Sequence, residues 1–191
     1  MTMRGFSRQI TAALRMFALL SLILGLIYPL VMTGVAWAAF RDQAAGSPVT
    51  DNGRIVGSAL LGQENSGDEW FQSRPSASRY AGDVSGGSNL SPVGAPQREA
   101  VQQRRDALRH ANPDAPADIP ADALTASASG LDPDISVAYA LWQAPRVARA
   151  RHLNVESVRA VIADHTTRRS WGFLGTPRVN VLDLNLTLSH R

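Results

Sequence analysis

An α+β fold, built as one N-terminal transmembrane helix followed by a single small extracytoplasmic domain, is what this sequence predicts. Three observations carry that expectation. Between Arg15 and Arg41 lie 25 residues without a charge, opening MFALLSLILGLIYPLV and closing AWAAF. Beyond them, capped helical patterns alternate with short strand-like runs in a polar background. The remaining chain is long enough for one ordinary domain with its own core.

The apolar run comes first. A helix needs about 20 apolar residues to cross the hydrocarbon core, so residues 16–40 can span with some tilt. Pro29, near the middle, predicts a kink, which membrane helices tolerate better than soluble ones. Trp37 and Phe40 suit the aromatic belt at the far end. Ala36-Trp37-Ala38 resembles a signal-peptidase site, yet a cleaved leader has an apolar stretch of only about 7–15 residues. An uncleaved anchor is the better reading. Residues 1–15 then form a cytoplasmic tail, 41–52 a linker and 53–191 the outer domain. The arginines before the span place the N-terminus in the cytoplasm and the domain outside, in the cell (inner) membrane.

Charge supports this division. The chain has no lysine, and Arg4, Arg8, Arg15 and Arg41 are the only charges in the first 41 residues. From residue 42 onward fifteen arginines face sixteen acids. The high isoelectric point therefore belongs to the membrane flank, and nucleic-acid binding loses its support. With no cysteine, disulfides, thiolate nucleophiles and cysteine metal sites are excluded.

In the outer domain, Asn52-Gly53 is a turn dipeptide and Arg54–Leu61 reads as a short strand. Residues 62–95 are rich in Gly, Ser, Asn and Pro, with Trp70, Phe71 and Tyr80 as large anchors. Such long loops are usually functional or lie against a partner. Pro96 starts a helix over 97–111 that Asn112-Pro113 ends. Ser136 caps a helix over 137–144, which Pro145 breaks or restarts, and Asn154 caps another bearing Val155, Val158 and Ile162 on one face. Over Val179–Leu188 four leucines alternate with polar residues, the pattern of a half-buried strand.

Motifs of catalysis are absent. There is no G-x-S-x-G, no H-E-x-x-H and no lysine for a Walker A loop, and Ser129, Asp132 and His152 have no hydrolase spacing. The four histidines are scattered and read as exposed helix ends, so no metal site is expected. Asp132-Pro-Asp134-Ile-Ser136 starts like a calcium loop but lacks its glycine and its closing glutamate, and helix capping explains it better.

Two features remain. Val84-Ser85-Gly86-Gly87-Ser88 resembles the L-S-G-G-Q signature of transport ATPases; paired glycines let backbone N–H groups converge on an anion. The charge pattern is also uneven. Asp114, Asp118, Asp122, Asp132 and Asp134 occupy a stretch without a base, and from Arg146 to the end eight arginines face three acids. The acidic stretch would concentrate cations, while an arginine face including Arg146 and Arg149 would dock on a partner.

In order along the chain, several segments resemble one family, the C subunits of Kdp-type potassium-transporting ATPases. They are Gly25–Leu30, Gly57–Gln63, Phe71 with Arg74–Ala77, Ser85–Leu90, Ala111–Pro113, Thr125–Asp132, Pro145–Ala148 and Pro177–Asn185. The resemblance implies an accessory, non-catalytic subunit. Its partners would be a channel-like potassium-binding subunit, a P-type ATPase subunit and a very small helical subunit. The family is described as a catalytic chaperone raising the ATP affinity of the ATPase subunit. Ser85, Gly86, Gly87 and Ser88 would be its nucleotide contact, with no cofactor of its own and ATP met only through the complex. An outer domain, however, would not meet cytoplasmic ATP. The role favoured is capping the potassium-binding subunit and stabilising the complex. The alternative is a free-standing, membrane-anchored domain that binds an extracytoplasmic ligand.

Overall fold

The structure is a computed structural model that describes residues 3–190. The first two residues of the expected tail, and Arg191 of the arginine-rich end, lie outside them. The chain divides into two compact units, Met1–Ser47 and Pro48–Arg191.

The first unit is helical. Helix α1 (Met3–Leu22) runs into a π-helical turn (Ile23–Ile27) and then α2 (Tyr28–Ala39). Together they give a helix from Gly5 to Ala39, long and apolar enough to cross a membrane. Its large apolar side chains, from Phe17 to Val35, are exposed, as lipid-facing residues must be. The π turn sits where Pro29 demands it. Proline lacks the N–H that would bond the Gly25 carbonyl, and the helix widens there, with the Tyr28 N–H reaching Ile23 O.

In the second unit, strands β1 (Pro48–Asp51) and β2 (Arg54–Ser58) form an antiparallel hairpin closed by the expected turn, with Asn52 and Gly53 both at positive φ. The stretch read as a linker thus holds a short helix, α3 (Arg41–Ala44), and a strand. The turn dipeptide marked one end of a hairpin whose first strand has too few apolar residues to announce itself.

The core gathers around α6 (Val137–Ala150). Seven of its residues besides Arg146 are buried, Tyr139, Ala140, Trp142, Gln143, Ala144, Val147 and Ala148, and the helix packs on α7 (Val155–Asp164), with α8 (Val181–Ser189) completing the same core. Ser136 caps α6 as expected, accepting from the Tyr139 N–H at 3.0 Å, and Asn154 caps α7 through the Glu156 N–H at 2.8 Å. Pro145, expected to break α6, sits inside it. The carbonyl it leaves unbonded is that of Leu141, which is 39% exposed, so water can satisfy the group. Helices α4 (Ala95–Ala111) and α5 (Ala121–Leu124) add Leu108, Ala123 and Leu124 to the core.

A three-stranded antiparallel sheet, ordered β3 (Asp134–Ser136), β5 (Arg178–Asn180), β4 (Thr166–Thr167), lies beside these helices. Ile135 and Thr166 both register with Val179. The strand expected over Val179–Leu188 is corrected here. Only its first two residues extend β5, and α8 takes the rest. Leucines at every second position also stand four apart, so Leu184 and Leu188 share a helical face with Val181. The Asn180 side chain tips the choice by accepting from the Asp183 N–H at 3.2 Å as an N-cap.

Candidate functional site

Residues 59–94 form no regular element, but they are far from loose. Phe71 is fully buried, and its N–H and C=O both bond the buried Asn185 of α8, at 2.8 and 3.0 Å. Gln72 makes the same two-sided exchange with Gln143 of α6, at 2.8 and 3.2 Å. A side-chain amide presents an N–H donor and a carbonyl acceptor side by side in one plane, so it can replace a strand partner for a backbone that has none.

Two arginines of α6 and its C-cap hold the preceding turn. Arg146 is only 1% exposed and spends its donors inside the fold. It donates to Asn112 Oδ1 (2.8 Å), Gly67 O (3.3 Å), Asp68 O (2.6 Å), Trp70 O (3.0 Å) and Gln143 Oε1 (2.8 Å). Burial lowers its pKa and nearby Asp68 pulls it back; an arginine stays charged under both influences. Arg151 donates to Glu69 O at 2.7 Å and Leu188 O at 2.8 Å, with its guanidinium 4.4 Å from the centroid of the Trp70 ring. Arg146, expected on a docking face, is therefore an interior tie. An arginine directly after Pro145, on the same helix as the apolar Tyr139, Trp142 and Ala144, was the available signal.

Further along, the loop is stitched to residues 127–131. Ser127 N–H donates to Pro75 O (2.9 Å), Ser76 Oγ to Gly130 O (2.7 Å), Gly86 N–H to Ser129 O (2.8 Å) and Gly62 N–H to Leu131 O (2.8 Å). Gly130 has φ +70°, and a Cβ there would stand 2.6 Å from Ser78 Oγ and 2.9 Å from Gly86 O. Thus Ser85, Gly86, Gly87 and Ser88 come together as a turn that faces the 127–131 strip. Ser85 Oγ also donates to Ser129 O, at 3.2 Å. The Gly86 N–H, one of the donors an anion would need, already has a protein acceptor.

Three of the five aspartates, Asp122, Asp132 and Asp134, line one cavity of about 330 Å³ together with Arg74 and Arg178, while Asp114 and Asp118 lie elsewhere. Asp122 accepts from Ser136 N–H (2.8 Å) and Oγ (2.9 Å), Asp132 pairs with Arg74 at 3.0 Å and Asp134 with Arg178 at 2.7 Å. Burial raises the Asp134 carboxyl pKa, while the Arg178 guanidinium acts in the opposite sense. Asp114 pairs with Arg149, and Asp118 is exposed on the connection before α5. Among the described residues no three His, Asp or Glu side chains are grouped to hold a metal ion. His165 is more than an exposed helix end: its ring nitrogens lie 2.9 Å from Val161 O and from Thr187 Oγ1, joining α7 to α8.

Two features had gone unnoticed in the sequence. A cavity of about 440 Å³ opens between the loop and α4, lined by Glu64, Tyr80, Arg104, Leu108 and Tyr139 among others. Between β4 and β5, a tip exposes Trp171 (86%), Phe173 (72%) and Leu174 (55%). Large apolar residues crowded into a glycine-punctuated turn, with no periodicity to bury them, are the signal that would have found it.

Comparison with known proteins agrees with this architecture. Residues 10–190 match the family model described as KdpC, K+-transporting ATPase, c chain. The potassium-transporting ATPase KdpC subunit of Variovorax paradoxus is 54% identical over 182 residues, covering 94% of each chain. That of Ralstonia nicotianae is 51% identical over 180 residues, covering 93% of this chain and 88% of that protein. For Acidobacterium capsulatum the identity is 50% over 170 residues, with 88% and 90% covered.

Proposed function

The chain belongs to the KdpC family of K+-transporting ATPase c chains, and on that premise we propose that it is a non-catalytic accessory subunit of an ATP-driven potassium importer. In this reading the helix anchors the subunit in the cell membrane. The folded unit stands outside, caps the potassium-binding subunit and stabilises its assembly with the P-type ATPase subunit and the small helical subunit.

The observation that carries the proposal is how the domain uses its polar groups. Those that could serve chemistry are engaged in holding its own loops: Gly86 N–H by Ser129, Asp122 by Ser136, Asp132 by Arg74, Asp134 by Arg178, and Arg146 by three carbonyls. What the domain offers outward is a fixed shape, which suits a cap. Orientation follows from the arginines Arg4, Arg8 and Arg15 that precede the apolar run.

Protease added to intact spheroplasts is expected to remove the domain, while inside-out vesicles protect it. The reverse pattern would put the domain in the cytoplasm and end the capping role. A second measurement addresses nucleotide. With Ser85→Ala and Ser88→Ala together, the KM for ATP of the purified complex is expected to stay within about twofold, since neither glycine is disturbed and one exposed hydrogen bond is lost. A tenfold rise would make the glycine turn a nucleotide contact.

A further inference from the structure

We propose that the tip between β4 and β5 is the docking knob of this subunit. It would insert into an apolar pocket with an acidic rim on the cation-conducting, membrane-embedded chain of the same ATPase. The proposal rests on the accessory-subunit reading and specifies the surface by which it acts.

Exposure is the first ground. Trp171, Phe173 and Leu174 lie within four residues of one another and are more than half exposed. A soluble surface seldom leaves three such side chains together unless something covers them. Shape is the second. Ser170 and Leu174 exchange two backbone hydrogen bonds, each 3.0 Å, and Gly172 N–H donates to Arg169 O at 3.2 Å. Trp171 has φ +52°, a conformation that bulky L residues rarely adopt, followed by Gly172 at +82°. The indole and the Phe173 ring lie 6.5 Å apart at a 42° tilt. A turn that holds a tryptophan in a strained backbone presents a defined shape. A pocket can recognise such a shape, whereas a fluid lipid surface does not require one.

Charge decides the partner's chemistry. Residues 168–178 carry three arginines and no acid. Arg178 is paired with Asp134, but Arg168 and Arg169 have no ion-pair partner among the described residues. Among the described residues the C-terminal arginine run is otherwise spent: Arg146 and Arg151 tie the loop, Arg149 meets Asp114 and Arg159 meets Glu156. Aromatic rings flanked by free guanidinium groups have the composition of interface hot spots. A cation-conducting chain carries negative potential at its mouth, which complements them.

The test uses the full chain co-expressed with the other ATPase chains. Phe173 is replaced by benzoylphenylalanine, and the complex is photolysed in its membrane. A cross-link to the cation-conducting chain is expected, and one to a different chain of the ATPase would overturn that assignment. Cross-linking to lipid, to a second copy or to nothing, in a complex that still co-purifies, would overturn the knob and leave the accessory role standing. If the unsubstituted chain brings no ATPase chain through mild detergent, both readings fall. Trp171→Ala with Phe173→Ala should weaken retention in the complex about 30-fold or more. The equally exposed Val93→Ala should leave it unchanged. Full retention by the double variant, with an unaltered melting curve for the chain, would also overturn the knob.

Discussion

Arg146→Met is expected to remove about 3–5 kcal/mol of folding stability, a large share of what a domain of this size possesses. The methionine keeps an unbranched apolar stem in place of the arginine's but donates nothing. It would leave Asn112 Oδ1, Gln143 Oε1 and the carbonyls of Gly67, Asp68 and Trp70 without the partner they now share. Each buried acceptor left unmet costs about 1–3 kcal/mol, reduced where the turn can move out to water. Arg146→Lys should recover only part of the loss, because one ammonium cannot reach acceptors that five N–H groups in a planar fork now serve. The melting temperature of the full chain in detergent should fall by about 10 °C or more. Tryptic cleavage at Arg79 should accelerate before global unfolding, since the turn loses its tie first. A melting temperature within two degrees of the parent, at about 2–4 °C per kcal/mol, would show that the site hydrates freely and that Arg146 holds nothing.

Phe71→Ala carries the second large effect, about 3–5 kcal/mol. The ring is fully buried, and the loop it belongs to has no helix or strand to support it. The backbone of Phe71 is fixed by Asn185 across 114 residues of sequence, so ring and amide act as one anchor. Truncation leaves a cavity whose walls are helices that cannot readily collapse, while the amide exchange has nothing left to position. Asn185→Leu attacks the same anchor from the other side by stranding the Phe71 N–H and C=O. The two changes together should cost less than the sum of each alone, by more than about 1 kcal/mol, since each removes what the other holds in place. Strict additivity in denaturant unfolding would mean that ring and amide contribute separately.

Both predictions concern the loop, and the loop is where reading the sequence gave least. Its length and glycine content indicated function or a partner. Trp70, Phe71 and Tyr80 were visible as anchors, but their attachment points lie on α6 and α8, and no local pattern names a partner so distant. The acidic stretch illustrates the same gap. Asp122, Asp132 and Asp134 read as an acidic field, and the fold does gather them at one cavity, but it sets Arg74 and Arg178 beside them and gives each its own donor. The apolar tip was overlooked because two arginines and two glycines around it resemble an ordinary solvent turn.

What the sequence determined by itself is whatever physics makes local. An apolar run long enough for a bilayer is selected residue by residue, so a span over residues 16–40 is legible without any partner, although the helix itself reaches back to Gly5 through part of the expected tail. The caps at Ser136 and Asn154 and the turn at Asn52-Gly53 act within three residues of themselves, and they too were legible. The α+β class and the family resemblance rest on such local signals in order. Tertiary structure alone decided the rest. Leucines spaced by two satisfy a strand and a helix equally, and α8 won because Asn180 could cap it and the core could take Val181, Leu184 and Leu188 from one helical face. An arginine's sequence neighbours do not reveal whether water or protein carbonyls will receive its donors. That depends on which distant backbone lacks partners, and for Arg146 it was the turn at Gly67–Trp70.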